Sequence, residues 1–513
     1  MKKQSLVKGT IILGMAGIIA KFLGLFFRWP LVMLVGDEGV GYYQMAYPLL
    51  GFFIAVASGI PIAVSKLVSE CNAVNDREGS FAILKKAIII MSIIGFGFTL
   101  SMILFSDSIM SFLKWDHKVY YSLIGVSFAP IIVGLMSAFR GFFQGYQNMT
   151  PTAVSEIIEQ IGRIVIGIGL AYILVSYGVE YSAGGATLGA SVGGLFGLIY
   201  LYLKYIKVKR EWGVKKVKND TEVMSKVLRV AIPISVGAAV ISSVNLIDSA
   251  LVPQLLVKGG HTYKEAAVLL GQLSGKAGIL VNVPLTISIA LSSSIVPIIS
   301  ELFTLNNREE LKRKVEGAMN ISIAIALPSA VGLAILASPI LNTIFPGHGD
   351  GGEILSYFSV AIPFMAITQT STSILQGTGK YITPVINLLI GCLFKIIVTI
   401  ILVPDISFGI NGAAIGTIVG YIVTAILNLL YIKLFVKIKI GYIKIFIKNI
   451  ITSGIMGIFV YVVYKYLKEN ILSIPLITLI SIGIGVIIYT LLVIVFGVVD
   501  INEVKKKVDR RSA

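Results

Sequence analysis

Charged residues, cysteine and histidine are all scarce in this sequence of 513 residues. Asp, Glu, Lys and Arg together account for 13% of it, whereas an ordinary soluble protein carries about 25%. A soluble chain of this length would need far more charge to cover its surface, so soluble enzymes, repeat solenoids and disordered proteins are excluded. The two cysteines, Cys71 and Cys392, and the three histidines form no Cys/His motif, and we predict neither a disulfide framework nor a metal site.

Motifs of nucleotide and hydrolase chemistry are also missing. The sequence contains no Walker A phosphate loop, no HExxH zinc motif and no GxSxG elbow. It has no polar stretch long enough for a soluble catalytic domain or a cytoplasmic ATPase. We therefore expect neither an enzyme nor a primary pump, and we expect no cofactor.

Apolar residues fill most of the sequence instead. The residue types AVILMFWYC make up 56% of it, and a helix needs about 20 apolar residues to cross a bilayer. Backbone groups in lipid must be hydrogen-bonded within their own segment, so runs of this length form helices. We predict an all-α polytopic membrane protein with 14 transmembrane helices, at 9–35, 42–65, 84–106, 119–144, 152–176, 182–205, 228–253, 266–299, 315–344, 354–375, 382–403, 409–434, 446–467 and 473–498.

Basic residues indicate the orientation of these spans. With the N-terminus inside, 32 of the 43 Lys and Arg residues fall in cytoplasmic segments or at the adjoining ends of spans, six fall outside or at the outer end of a span, and five lie deeper within spans. Lys and Arg accumulate in cytoplasmic loops, so this split predicts a cell-membrane protein with both termini in the cytoplasm. The net charge of +17 then reflects topology, and we expect no nucleic-acid partner.

An internal repeat divides the chain into two halves. In both halves a Gln-Gly pair is followed by a proline, by a basic residue 19 positions after the Gln, and by a glycine-rich segment. The first copy is Gln144-Gly145, Pro151, Arg163 and Gly185-Ala186-Thr187-Leu188-Gly189, and the second is Gln376-Gly377, Pro384, Lys395 and Gly412-Ala413-Ala414-Ile415-Gly416. Each half holds six spans, an even number, so we predict two parallel six-helix lobes. Transporters built from repeats bind substrate between the repeats.

The predicted domains follow from the repeat. An N-terminal six-helix lobe covers 1–205, a basic cytoplasmic linker covers 206–227, and a C-terminal six-helix lobe covers 228–434. Two extra transmembrane helices follow at 446–498, and a basic cytoplasmic tail occupies 499–513. We predict that the turns at Gln144-Gly145 and Gln376-Gly377 are hinges at the cytoplasmic ends of helices.

Ionisable residues inside the spans are the candidate functional residues. A charge at the bilayer centre is costly, so such residues usually face a water-filled or substrate cavity. Lys21 and Arg28 lie seven positions apart on one face of the first span, and with Lys276 in the eighth span they are the candidates for a substrate cavity. Cations there would suit a phosphate-bearing substrate, because Arg binds phosphate in a bidentate way and Lys binds it as a point charge.

The other charges within spans have structural alternatives. Glu156, Glu159 and Arg163 share one stripe of the fifth span, where an intrahelical ion pair that stabilises the fold competes with a role in binding or coupling. Lys395 either lines the cavity or snorkels to the interface. Asp248 in the seventh span is either the counter-ion of Lys276 or a ligand of a coupling ion.

Several motifs resemble one known family. They are Lys21-Phe22-Leu23-Gly24, Arg28-Trp29-Pro30-Leu31, Gly39-Val40-Gly41-Tyr42-Tyr43-Gln44-Met45-Ala46-Tyr47-Pro48, Ala57-Ser58-Gly59-Ile60-Pro61 and Leu375-Gln376-Gly377. Over nearly its whole length the sequence resembles the stage V sporulation protein B family. That family belongs to the polysaccharide-transporter branch of the multidrug/oligosaccharidyl-lipid/polysaccharide (MOP) exporter superfamily.

The resemblance implies two six-helix lobes plus two extra helices, and a transport function. Related lipid II flippases move undecaprenyl-pyrophosphate-linked sugars outward across the cytoplasmic membrane. They carry cavity arginines after a Leu-Gly motif in their first span and a basic residue in span eight. Lys21 and Arg28 look like the counterparts of those arginines, and Lys276 looks like the counterpart of the span-eight residue. The arginine of their second span has no equivalent here.

We therefore predict a flippase or exporter of a lipid-linked oligosaccharide, serving spore cortex peptidoglycan or another envelope polysaccharide. The expected partners are membrane lipids and glycan-polymerising membrane enzymes. One alternative is a cation-coupled drug antiporter of the same superfamily, which would rely on Asp248 or on Glu156 and Glu159 as ion ligands. Another is a non-transporting scaffold of a glycan-synthesis complex.

Overall fold

The computed structural model describes residues 4, 6–214, 222–436, 441–470 and 473–498. All regular structure in these ranges is helical. Residues 215–221 of the predicted linker and the predicted tail at 499–513 lie outside the described residues. The α-helices are α1 (Leu6–Ala57), α2 (Gly59–Ala73), α3 (Arg77–Leu104), α4 (Ser106–Leu113), α5 (Tyr120–Ser127), α6 (Ala129–Gly145), α7 (Thr150–Leu174), α8 (Val179–Glu211), α9 (Glu222–Lys258), α10 (Tyr263–Leu270), α11 (Gly278–Thr304), α12 (Arg308–Ile335), α13 (Ala337–Ile344), α14 (Gly352–Ser359), α15 (Ala361–Gly377), α16 (Ile382–Leu402), α17 (Asn411–Tyr431), α18 (Tyr442–Asn470) and α19 (Ile474–Val495).

The chain forms two compact units. Unit 1 comprises Met1–Val257 and His261–Gly271, and unit 2 comprises Lys258–Gly260 and Gln272–Ala513. Helix α9, which carries the predicted seventh span, is grouped by its contacts with unit 1. The lobe boundaries drawn from the sequence at residues 205 and 228 stay a prediction.

Long apolar helices confirm the predicted fold class, an all-α polytopic membrane protein. Among the described residues, twelve helical stretches are long and apolar enough to cross a membrane. The first of these, Ile12–Ala73, has 62 residues and contains both predicted spans 9–35 and 42–65 for most of their length. Helix α9 is not among the twelve. The count of fourteen therefore stays a prediction.

Helix α1 reverses direction at Gly36. This glycine has non-helical angles, φ 62° and ψ −171°, in the left-handed region that a residue with a Cβ adopts only with strain. A guanidinium nitrogen of Arg28 lies 2.8 Å from the side-chain oxygen of Gln44. A straight helix would separate residues 16 positions apart by about 24 Å. The segments of α1 on the two sides of Gly36 therefore lie close together at these residues, as two separate spans require.

The internal repeat is visible as a repeat of helix lengths. Helices α3, α4, α5 and α6 of unit 1 contain 28, 8, 8 and 17 residues. Helices α12, α13, α14 and α15 of unit 2 contain the same numbers in the same order. The residues that break the first two helices also agree, since Phe105 has φ −104° and ψ 19° and Leu336 has φ −99° and ψ 20°. The two halves are thus copies of one helical arrangement.

Glycines bring the next two helices of each copy into backbone contact. A Cβ placed on Gly189 of α8 would lie 2.9 Å from the Arg163 carbonyl oxygen, and one on Gly193 would lie 2.6 Å from the Arg163 nitrogen. In the second copy, a Cβ on Gly416 of α17 would lie 3.0 Å from the Lys395 carbonyl oxygen. Small residues permit such close packing of membrane helices. The predicted repeat partners Arg163 and Lys395 therefore occupy matching positions on their helices.

Candidate functional site

Two arginines of unit 1 converge on one tyrosine. We call Arg28, Tyr43, Gln44, Tyr47 and Arg163 the arginine cluster. The Arg28 guanidinium carbon lies 4.5 Å from the centre of the Tyr43 ring, and its Nη2 donates to Gln44 Oε1 at 2.8 Å. Arg163 Nη2 donates to the Tyr43 hydroxyl, and its guanidinium carbon lies 4.7 Å from the centre of the Tyr47 ring. The reversal at Gly36 and the packing of α7 against α1 assemble this cluster.

The cluster is cationic and lacks a bound acid. Within the described ranges, neither guanidinium has a carboxylate oxygen within 4.0 Å, although nearby Arg140 does. Arg28 Nη1 and Arg163 Nε are both buried and have no hydrogen-bond partner among those residues. A buried donor without an acceptor is costly, and more so when it carries charge. The arrangement is therefore suited to an anion with several acceptor oxygens.

The aromatic side chains of the cluster form the surface on which the guanidinium groups stack. The rings of Tyr43 and Tyr47 are stacked, with centres 5.1 Å apart. Tyr43 is fully buried, and the ring of Phe27 lies against it at 5.9 Å. Guanidinium groups stack favourably on such faces while their N–H groups remain able to donate in the ring plane. Tyr43 thus holds both cations without neutralising either of them.

The acidic stripe of α7 is engaged elsewhere. Glu159 Oε2 accepts from Arg140 Nη2 of α6 at 2.9 Å, with side chains 22% and 16% exposed. Arg140 Nε also donates to Ser155 Oγ at 2.9 Å. The sequence offered Arg163 as the intrahelical partner of Glu156 or Glu159, whereas the structure pairs Glu159 with the neighbouring helix. Glu156 is half-buried on the same stripe. Sequence reasoning missed Arg140, because only the packing of α6 on α7 brings it there.

Lys276 is buried in unit 2. It lies in a π-helical turn, Gly271–Ala277, and is 1% exposed. Its Nζ donates to the His348 carbonyl oxygen at 2.8 Å and lies 6.0 Å from the centre of the Phe345 ring. A π-helical turn within a helix is uncommon and often marks a functional position. In this structure the amine is bound by the loop that follows α13.

The remaining predicted residues are not members of the arginine cluster. Lys21 is exposed on α1, and Asp248 is half-buried on α9 of unit 1, next to Ser249, whose carbonyl accepts from the Trp115 indole at 3.1 Å. Lys395 is 8% exposed on α16 of unit 2. Lys21 and Arg28 belong to unit 1 and Lys276 to unit 2. Their convergence on one cavity stays a prediction, as does the pairing of Asp248 with Lys276.

The two Gln-Gly turns end repeat-related helices. Gly145 is the last residue of α6, and Gly377 is the last residue of α15. A Cβ on Gly145 would lie 2.8 Å from the Ser65 carbonyl oxygen, and one on Gly377 would lie 3.0 Å from the Val296 carbonyl oxygen. These glycines permit a close approach of α6 to α2 and of α15 to α11. The roles of Gln144-Gly145 and Gln376-Gly377 as hinges stay a prediction.

No metal centre accompanies these residues in the described part of the chain. Groups of three or more His, Cys, Asp and Glu that could hold a metal ion are absent from it. Cys71 and Cys392 form no disulfide in the described part of the chain, and the first is half-buried and the second buried. The arginine cluster itself contributes guanidinium, amide and phenol groups.

Comparison with known proteins connects this fold to transporters. The family model described as polysaccharide biosynthesis protein matches residues 6–303, and the MatE family model matches residues 275–401. The chain is 30% identical over 440 residues to the stage V sporulation protein B of Bacillus subtilis (strain 168), covering 83% of each chain. It is also 30% identical over 491 residues to the lipid II flippase MurJ of the same organism, covering 90% of this chain and 88% of the relative.

A solved structure has the same fold. The lipid II flippase MurJ in an inward closed conformation superimposes with a TM-score of 0.75 at 19% identity, covering 95% of this chain and 98% of that one. Together with the apolar helices, these matches indicate a multi-pass membrane protein related to flippases and transporters rather than to enzymes. The chain belongs to the polysaccharide biosynthesis protein family of the MOP superfamily.

Proposed function

We propose that the protein is a flippase that moves a lipid-linked oligosaccharide of the undecaprenyl-pyrophosphate type outward across the cytoplasmic membrane by alternating access. Its substrate would be a peptidoglycan precursor for spore cortex or another envelope glycan. Both termini would lie in the cytoplasm, as the distribution of Lys and Arg along the sequence indicates. Membrane enzymes that polymerise the glycan would be its functional partners.

The main support for this proposal is the positive charge of the arginine cluster. Arg28 and Arg163 contact the same tyrosine, and each keeps a buried N–H that has no acceptor among the described residues. A diphosphate supplies several acceptor oxygens and more than one negative charge, which would satisfy both donors. Charge-assisted hydrogen bonds of this kind contribute about 1.5–3 kcal/mol each. The names of the two Bacillus relatives, a sporulation protein and a lipid II flippase, support the same substrate class.

The sugar-bearing lipid would meet further cations predicted from the sequence. Lys21 is exposed on the same helix as Arg28, and it would contact the substrate directly. Lys276 would join the site only after its amine leaves the His348 carbonyl. We assign these two residues a role in the same cationic path, with Arg28 and Arg163 as its principal anion ligands.

Flipping by the purified protein in liposomes tests the proposal. The probe is an undecaprenyl-pyrophosphate-linked sugar with a fluorescent label that an impermeant reagent quenches in the outer leaflet. We expect Arg28→Gln and Arg163→Gln each to lower the flipping rate about tenfold or more, the loss that one charge-assisted hydrogen bond predicts. Arg313→Gln is the matched control, since Arg313 is 61% exposed and pairs with Glu310 on the surface of α12. Flipping at the wild-type rate in both cluster variants would contradict the proposal.

A cation-coupled antiporter is the second candidate, and the match of the MatE family to residues 275–401 favours it. An antiporter of cations needs an acid that is able to release and bind its ion. Glu159 is held by Arg140, and the neighbouring cluster is basic. Efflux of small cations driven by a proton or sodium gradient, with no flipping of the glycolipid, would establish the antiporter. Absence of both activities, with cell growth supported by the Arg28→Gln variant, would establish a scaffold.

A further inference from the structure

An acidic side chain at the reversal of α1 binds two lysines from other elements. Glu38 Oε2 lies 3.0 Å from Lys264 Nζ of α10. Its Oε1 lies 3.6 Å from Lys118 Nζ, in the 3₁₀ turn His117–Val119, and accepts from the Tyr42 hydroxyl at 2.9 Å. We call Glu38, Tyr42, Lys118 and Lys264 the Glu38 clasp. All four belong to unit 1. The Glu38 side chain is 14% exposed, whereas those of Lys118 and Lys264 are 44% and 67% exposed.

Beneath the clasp, α1 and α10 touch through their backbones. A Cβ on Gly41 would lie 1.9 Å from the Ala267 carbonyl oxygen. A Cβ on Gly271, directly after α10, would lie 2.2 Å from the Asp37 carbonyl oxygen. Each helix therefore presents a glycine to a carbonyl of the other. A side chain larger than a hydrogen atom would not fit at these points, so the two backbones are in direct contact.

Helix α10 is built to move as a short rigid piece. It has eight residues, and its first turn is fixed by a capping box between Thr262 and Glu265. Before it lies a turn with Gly260 at φ 102°. After it comes the π-helical turn Gly271–Ala277, where the chain passes from unit 1 to unit 2. Irregular backbone at both ends allows α10 to change its angle without unwinding.

We propose that the Glu38 clasp is a latch that holds α10 against α1 and opens once in each transport cycle. Its position at the outer ends of the spans rests on the proposed function and its orientation. The two lysines are largely exposed, so each ion pair is individually weak. Such bonds suit a contact that must break on every turnover, because their sum favours the closed form without trapping it. In the closed form the glycine contacts let the two backbones pack directly against each other.

Distances between α4 and α10 test the latch without any substrate. Spin labels are attached at Phe112→Cys and Tyr263→Cys, which replace residues 83% and 46% exposed, in a background with Cys71→Ser and Cys392→Ala. The full-length protein is measured in lipid nanodiscs. We expect Glu38→Gln to lower the ratio of the short to the long distance about tenfold, because it removes both ion pairs, and Lys264→Gln to lower it about threefold. Lys258→Gln, an exposed lysine of the same loop region, is the matched control.

Each result of this measurement either supports or overturns the latch. An unchanged ratio in Glu38→Gln and Lys264→Gln, or an equal shift in Lys258→Gln, overturns the latch. If Glu38→Gln fails to fold, Lys264→Gln decides alone, because its side chain is at the surface. Since the measurement uses no lipid substrate, a shifted ratio in a protein that does not flip glycolipid overturns the proposed function and leaves the latch. An unchanged ratio in a protein that does flip it overturns the latch only.

Discussion

The two units differ in the polar contact between three matching helices. In unit 1 the contact among α6, α7 and α8 is an ion pair, and in unit 2 the contact among α15, α16 and α17 is a pair of amides. In unit 1, Arg140 binds Glu159 and Ser155 at 2.9 Å each. In unit 2, Asn387 Nδ2 donates to Asn428 Oδ1 at 2.8 Å. Ser155 and Asn387 are 232 positions apart, like the two Gln-Gly turns. The same place in the repeat thus holds charges in one unit and neutral groups in the other.

This difference separates the features that pack the helices from the residues that carry charge. The lengths of four helices agree between the units, and in both units glycines bring the next two helices into close contact, so these features provide the packing that either unit needs. The Arg140–Glu159 ion pair occurs in unit 1, which also contains the arginine cluster. The amides of unit 2 are completed by Asn428, whose Nδ2 donates to Ser371 and Thr372 at 3.1 and 3.2 Å. The comparison teaches that the two copies share their helix packing while the polar contact at this position differs between them.

The glycine contacts should be the most sensitive part of the comparison. We expect Gly193→Ala to lower the free energy of unfolding by about 3 kcal/mol, because its Cβ would lie 2.4 Å from the Glu159 carbonyl oxygen. Gly420→Ala should lower it by less, about 1 kcal/mol, because its nearest contacts are at 2.9 and 3.0 Å. Denaturant unfolding in detergent measures both. Equal losses would show that the two interfaces are equally tight.

The ion pair of unit 1 should come next. Glu159→Leu leaves Arg140 without its acid, and we expect a loss of about 2 kcal/mol in the free energy of unfolding, less than for a fully buried pair because both side chains are partly exposed. Removing both charges with Arg140→Leu and Glu159→Leu together should cost about 1 kcal/mol. The same unfolding measurement on the single and double variants gives the coupling energy. A double variant less stable than the single one would contradict the pairing.

The amide network of unit 2 should be slightly less sensitive. Asn387→Leu leaves the buried Oδ1 of Asn428 without its donor, which we expect to cost about 1.5 kcal/mol. Asn387→Asp restores an acceptor but no donor, and it should cost more than the leucine. Thermal unfolding of the two variants ranks them. If the leucine variant unfolds at the same temperature as the wild type, the amide pair does not stabilise the fold.

The smallest expected effect on stability lies in the arginine cluster. Tyr43→Phe keeps the ring beneath Arg28 and removes only the hydroxyl that Arg163 binds. We expect a loss of about 1 kcal/mol in stability and a larger loss in flipping, because Arg163 is no longer positioned. The glycolipid assay and an unfolding curve on the same preparation separate the two. Flipping at the wild-type rate would assign the hydroxyl a purely structural role.

Much of the fold follows from local sequence patterns. The apolar runs predict the helices because length and hydropathy alone decide which segments cross lipid. The repeat of Gln-Gly, basic residue and glycine-rich helix placed Arg163 and Lys395 at matching positions, which the glycine contacts of α8 and α17 confirm. Arg28 was a candidate because its charge stood in an apolar span. These signals lie within single helices, where spacing fixes which residues share a face.

The partners of the charged residues could not be predicted in the same way. Glu159 pairs with Arg140, which belongs to a different helix. Lys276 binds a backbone carbonyl of a loop 72 positions away. Because every residue has a backbone carbonyl, the sequence does not indicate which one is bound. The π-helical turn around Lys276 and the reversal that joins Arg28 to Gln44 are likewise products of packing. Side-chain partners across helices depend on rotation and tilt, which composition and spacing do not determine.

The equal lengths of four helices in the two units have a consequence for how such a chain tolerates change. Each residue added to or removed from a helix rotates everything after it by about 100°. A single deletion in α3 or α12 would therefore turn the faces of the following helices away from their neighbours, even if every remaining residue were unchanged. Substitutions leave this register intact. The repeat therefore constrains the lengths of its helices more strictly than their amino-acid sequence. Insertions should be tolerated only in the turns, such as the segments 175–178 and 403–410, where the two units already differ.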